Sequence, residues 1–290
     1  MSDLDLENEL NFFLSQKKKP VFNLSALSGE LSDSFEAELD LLEAADLHYV
    51  EVGEINGKNV LGLGNAELDE VQVAMQMRGL SVSAIASSIG NSSITADFSQ
   101  EFSRFERALE VADWLGASYI RIFGFQLPEG DSETVYQQYR AEVARRLTEF
   151  AIASQPYGLI LLLENAPGTF ADTSAHCADL IDEVGSTNLR SLFDPASFVQ
   201  MGENPLVDAF PPLQEQVNLL HLRDANADGS PAPLGDGVGE LKGLLQTMWR
   251  SSYQGAITLK PHKGSFAGQT FEEAVARVRQ MLAEIEQAES

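Results

Sequence analysis

The chain has 290 residues, 44% of them hydrophobic, which is enough to bury the core of one large α/β domain or of two ordinary ones. Its formal charge of -25 argues against nucleic acid and anionic membranes as partners, because both are bound through clustered Lys and Arg. A lone cysteine, Cys177, can form no intramolecular disulfide or thiol zinc site, no apolar run approaches the ~20 residues that span a bilayer, and the acidic start has the wrong sign for a secretory leader, so the cytoplasm is the expected location.

Residues 1–19 read as an amphipathic helical extension with Leu6, Leu10, Phe13 and Leu14 on one face, ended by Lys17 to Lys19 and Pro20. From residue 20 onward, short β-branched or aliphatic runs alternate with helical periods, and no Ser/Pro linker divides them. The expected strands are Val21 to Leu24, Tyr49 to Gly53, Ser81 to Ala86, Tyr119 to Phe123, Leu159 to Glu164, Ser191 to Asp194, Val217 to Arg223 and Ala256 to Lys260. Asp33 three residues before Glu36, and Thr270 three before Glu273, have the spacing of reciprocal helix caps. Eight strands in this alternation suit a closed (β/α)8 TIM barrel over residues 20–290 with an extra N-terminal helix, since such a barrel takes about 250 residues.

In such a barrel the residues that end the strands face the site. GLILLLEN (158–165) stops at Glu164 and RSLFDPASF (190–198) at Asp194, two carboxylates that repel unless a cation or shared proton lies between them. NLLHLRDAN (218–226) puts His221 and Arg223 on one face of a strand, and GAITLKPH (255–262) ends its strand at Lys260. Arg121 and Arg223 are candidates to hold a substrate phosphate or carboxylate, or to pair with barrel acids. His262 contacts substrate or caps a loop. Glu51 and Lys58 reach substrate hydroxyls or form an exposed charge pair. The loop from Ala225 to Gly239 contains Gly235-Asp-Gly-Val-Gly without a P-loop lysine or Rossmann spacing; it reads as a mobile lid, and no nucleotide cofactor is expected. Cys177 reads as helix packing.

Taken in order, HYVEVGEINGKNV (48–60), YIRIFGF (119–125), GLILLLEN, SLFDPASF, HLRDA, PLGDGVG (233–239) and GAITLKPH resemble the sugar phosphate isomerases/epimerases with a xylose-isomerase-like TIM barrel. The resemblance implies a site where Glu164, Asp194 and His221 bind a divalent metal (Mn, Mg, Co or Zn). It also implies proton transfer next to a carbohydrate carbonyl, a small-molecule carbohydrate as partner, and a homo-oligomer. The fourth metal position, a Glu in relatives, is Lys260 here, and a cation cannot ligate a cation. Relatives also carry an Arg near Gly53, a basic residue near Asn91 and a His or Glu near Ala166.

Charge decides what Lys260 does. The family's three carboxylates with a divalent ion sum to the same charge as Glu164, Asp194 and Lys260 without one, whereas an ion beside the ammonium costs several kcal/mol at about 4 Å. The expectation is a site in which Lys260 supplies the cation, with Glu164 and Lys260 as catalytic groups. The alternative is a catalytically degenerate barrel that binds a sugar-like ligand or a protein partner, with Lys260 only an ion-pair partner. A third class on this fold, the multi-zinc apurinic endonucleases, is disfavoured by the acidic charge and by four histidines in all.

Overall fold

The computed structural model describes residues 20–130, 132–261 and 266–289. The helical extension over residues 1–19 and the candidate His262 lie outside the described residues.

Eight parallel strands close into one barrel: β1 (Val21–Leu27), β2 (Tyr49–Val52), β3 (Ser81–Ala86), β4 (Tyr119–Ile122), β5 (Ile160–Glu164), β6 (Leu189–Phe193), β7 (Val217–Leu222) and β8 (Gln254–Leu259). Each pairs with its sequence neighbours, and β1 completes the ring by pairing with both β2 and β8. Closure leaves no strand edge exposed. The outer ring includes α1 (Phe35–Ala44), α2 (Asn65–Met77), α3 (Phe98–Leu115), α4 (Ser132–Ser154), α5 (Ser174–Val184), α6 (Pro195–Gln200), the short α7 (Phe210–Leu213), α8 (Leu241–Arg250) and α9 (Phe271–Glu289).

The period-2 alternation of the strands separates two cores. Outward-facing aliphatics pack under the helices, where Phe98, Phe105, Phe125 and Phe150 form one aromatic cluster, with Phe105 and Phe150 4.4 Å apart between ring centroids. Inside the barrel, Ala84, Leu162, Leu192, Leu219 and Ala256 make a separate apolar layer. Moving two residues on from Leu162, Leu192, Leu219 and Ala256 reaches Glu164, Asp194, His221 and Thr258 on the same inward face. The apolar layer is therefore the floor on which a buried polar layer stands.

Helix starts agree with the sequence at one end of the chain and differ at the other. Before α9 the reciprocal cap forms: Thr270 N donates to Glu273 Oε2 (2.9 Å) and Glu273 N to Thr270 Oγ1 (3.2 Å). The cap expected at Asp33 does not form. Helix α1 starts after Ser34 without a side-chain cap, and Phe35 N donates instead to Asn56 Oδ1 (2.9 Å). Cys177 is buried in α5, with Sγ donating to Ala171 O at 3.4 Å.

Candidate active site

Six barrel strands contribute charged groups to the polar layer. Glu51 sits on β2, Arg121 sits on β4, Glu164 ends β5, Asp194 follows β6, His221 and Arg223 belong to β7 and its end, and Lys260 follows β8. Lys260 N donates to Leu222 O (3.3 Å), which extends the sheet ladder by one residue and turns the side chain inward. Asn165 fixes Asp194 by gripping its backbone twice, with Nδ2 to Asp194 O at 2.9 Å and Asp194 N to Oδ1 at 2.7 Å. Asp194 in turn caps α6 through Ser197 N (3.2 Å).

The side chains form one connected network. Lys260 Nζ lies 2.6 Å from Glu164 Oε1 and 3.5 Å from Asp194 Oδ2. Arg223 Nε donates to Asp194 Oδ2 (2.9 Å) and its Nη2 to Ser197 Oγ (2.9 Å). His221 bridges two acids, with Nε2 3.0 Å from Glu51 Oε2 and Nδ1 3.2 Å from Glu164 Oε1. Arg121 bonds the carbonyls of Ala86 and Ser87 and brings Nε to 3.3 Å from Glu164 Oε2. Despite that approach, Glu164 Oε2 has no hydrogen-bond partner, although Glu164 is only 2% exposed. A buried carboxylate oxygen left in this state is an acceptor waiting for a donor.

The network holds the acids ionised. Burial opposes charge on Glu164, but Lys260, Arg121 and His221 overcome it and keep its carboxyl well below the usual range. Burial likewise opposes charge on Asp194, which Arg223 and Lys260 hold down, and on Glu51, which His221 holds down. For His221 burial disfavours the cation, yet Glu51 and Glu164 win and raise its pKa. Asp194 raises that of Arg223.

Oxygen atoms of Glu164 and Asp194 and a ring nitrogen of His221 lie within 4.8 Å of one another, the spacing of a divalent-metal triad, and Glu51 would anchor the outer nitrogen of His221 as carboxylates do for metal-bound imidazoles. The place for a fourth ligand holds the Lys260 ammonium, which is bonded to the same Glu164 oxygen that faces His221. An ion held by these three would stand against a fixed positive charge in a buried site. Glu164, Asp194 and His221 would be the ligands of a divalent ion, and such an ion would share the site with the Lys260 ammonium.

The structure thus brings together Glu164, Asp194, His221, Lys260, Arg121 and Arg223. Glu51 and Lys58 do not act as a pair. Lys58 is exposed and bonds Glu67 (2.7 Å), whereas Glu51 is fully buried beneath His221. The signal for Glu51 was its place in strand alternation, with Tyr49 and Gly53 on the same face.

The glycine-rich loop is a correction. It is not free to move as a lid, because the buried Asp224 ties it down: Gly235 N (2.9 Å), Gly237 N (3.1 Å) and Gly239 N (2.9 Å) all donate to its carboxylate. A Cβ on Gly239 would lie 2.6 Å from Asp224 Oδ1, and one on Gly237 would overlap Ala225 O. The glycines cradle an anion after all, one supplied by the chain itself.

The family model described as xylose isomerase-like TIM barrel matches residues 39–285. A 3-dehydroshikimate dehydratase of Bacillus anthracis is 27% identical over 135 residues, 47% of this chain and 47% of that protein, so the match spans about half of that relative's length. An inosose isomerase of Halalkalibacterium halodurans is 21% identical over 259 residues, 86% of this chain and 90% of that one. Among solved structures, IOLI protein with a bound zinc atom shares the fold at a TM-score of 0.70 and 17% identity, over 91% of this chain and 97% of that one.

Proposed function

Because the chain belongs to the xylose isomerase-like TIM-barrel family, we propose that it is a sugar isomerase/epimerase-like enzyme that moves a proton next to the carbonyl of a carbohydrate or related polyol, with the Lys260 ammonium in place of the family's metal. The observation that carries this reading is Glu164: a buried carboxylate, ionised by three cations, with one oxygen left without a hydrogen-bond partner. That carboxylate is the group to take a proton from carbon. The relatives support the reaction class, since isomerisation of an inosose and dehydration of 3-dehydroshikimate both act on oxygenated carbon skeletons.

A carboxylate held well below its usual pKa is a poor base. Lys260 resolves this. When a substrate carbonyl enters, the ammonium can leave Glu164 Oε1 for the carbonyl oxygen, which strengthens Glu164 as a base and places a cation where negative charge develops. Arg121 then retains Glu164, and Arg223 holds substrate beside Asp194. Bound metal, where relatives have it, supplies the same Lewis-acid charge. Here the ammonium does so without a ligand set.

The test is proton–deuterium exchange at carbon, followed by NMR in D2O with inososes and ketoses, together with elemental metal analysis of protein purified without chelator. Exchange by metal-free protein is expected, with Glu164→Gln lowering it by roughly 10²–10⁴. Stoichiometric metal at Glu164, Asp194 and His221 would overturn the role given to Lys260. One observation favours a second reading: the 2.6 Å Lys260–Glu164 pair is already a satisfied ion pair. A barrel that binds without turnover predicts no exchange with any substrate.

A further inference from the structure

The end of the barrel opposite Lys260 presents a half-buried apolar face. Tyr119 and Ile160, register neighbours on β4 and β5, pack against the inner apolar layer from below and are only partly buried. Arg190, two residues before the inward Leu192 on β6, shares that face. On the same side, β1 pairs with β8 from Val21 but with β2 only from Ser25, so its first four residues stand clear of β2. The wedge between them is a cavity of about 210 Å³ whose lining includes Phe22, Leu24, Leu47, Tyr49 and Arg279, and the preceding Val21 is 44% exposed.

Charge marks the same face. Every other described Lys and Arg forms an ion pair, whereas Arg190 and Arg279 have no carboxylate partner among the described residues. Arg190 bonds Gln216 Oε1 (2.7 Å), and Arg279 bonds the carbonyls of Ala45 (2.7 Å) and Asp46 (3.1 Å). In a chain of formal charge -25, two guanidiniums without acids on one face complement an acidic segment that carries apolar groups.

We propose that residues 1–19 of this chain cover the barrel floor, with Leu6, Leu10, Phe13 and Leu14 against its apolar groups and the acids Asp3, Asp5, Glu7 and Glu9 toward Arg190 and Arg279. The spacing of the four apolar residues puts them on one side of a helix. Pro20 leads directly into the protruding foot of β1, so the segment is tethered at the wedge and docks intramolecularly, an advantage that no separate partner has. Its reach suffices. Arg190 on β6 is three strands from β1 by way of β8 and β7, about 14 Å at the usual strand spacing, and residues 15–19 span about 17 Å when extended.

Hydrogen–deuterium exchange of the full chain, read by mass spectrometry at two protein concentrations, tests this. Amides within residues 6–14 are expected to exchange at least about tenfold more slowly than an unstructured chain at both concentrations, since an undocked helix of this length is marginal in water. Leu10→Ser and Phe13→Ser change no residue of the barrel itself, and each should remove the protection. Arg190→Gln and Arg279→Gln, made separately, should each lower it about two- to fivefold, the scale of one partly exposed ion pair, while amides of β3 and β5 exchange as in wild type.

Free exchange within residues 6–14 would overturn the proposal. Protection that appears only at the higher concentration would overturn it too, because the occupant of the floor would then be a second copy. So would protection indifferent to both arginines, which describes a helix that is not seated on this face.

Discussion

Lys260 is the residue on which the site turns, and its consequence can be tested by reversing the charge. In Lys260→Glu a third carboxylate joins Glu164 and Asp194, and without an ion their mutual repulsion destabilises the fold. Adding Mn²⁺ or Zn²⁺ should then stabilise the variant by about 2.7 kcal/mol at a hundredfold excess over Kd, read as a rise in Tm. Wild type should not respond. An equal response by wild type would show that its ammonium yields to an ion. A second residue-scale prediction concerns His176, whose Nδ1 is 2.7 Å from Asp172 Oδ1 and whose ring stacks on Tyr136 at 3.7 Å between centroids. The bond to Asp172 raises the His176 pKa despite the opposing effect of partial burial. A raised imidazolium pKa gives stability that is full below the ordinary value of about 6.5 and lost as pH rises through the folded value. The unfolding free energy lost in His176→Asn should therefore be larger at about pH 6 than at about pH 9, as measured by urea titration; no change with pH would remove the charged pair from the account. Both residues were visible in the sequence, but only Lys260 stood out there, because its meaning came from a strand-end position. His176 needed its partners.

At the scale of elements, carboxylates hold the loops that follow the C-terminal ends of the strands. Glu38 of α1 accepts from Gly29, Leu31 and Ser32 N, and Glu101 of α3 accepts from Gly90 N at 2.6 Å. Glu203 accepts from Ser174 N and Oγ, and Asp224 gathers the loop before α8. Each anchor converts loop amides that would need water into internal bonds to a charged acceptor, worth about 1.5–3 kcal/mol. Asp224→Ala should thus lower stability by about that amount and speed proteolysis within residues 233–239, as judged by cleavage mapping. Cleavage at the wild-type rate would mean the loop is held by other contacts. The strands were legible to within a few residues, and β3 at both ends, because alternation and β-branched runs are local signals. The loop anchors were not. Asp224 lies 11 to 15 residues from the glycine amides it bonds, and a glycine-rich segment reads alike whether it cradles a ligand or the chain's own acid.

At the scale of the whole molecule, the barrel works because its polar layer rests on an apolar one. Leu219 is fully buried in the inner layer, directly beneath His221 on β7. Leu219→Ala should cost about 2–5 kcal/mol by the loss of apolar contact and the cavity left behind, measured by chemical denaturation; a loss under about 1 kcal/mol would mean that the layer collapses to fill the space. What the sequence by itself determined was the order of elements, the closed α/β architecture and the strand ends that carry Glu164, Asp194, His221 and Lys260, since period, turn residues and strand termini are local properties of the chain. What only the tertiary structure decided was which charges meet. Glu51 reaches His221 across 170 positions of sequence and Lys260 reaches Glu164 across 96, because closing the ring brings every strand end to one small circle whatever its distance along the chain. Pairings among so many like candidates depend on the register, tilt and depth of each side chain in that circle, and these are set by the packing of the whole barrel.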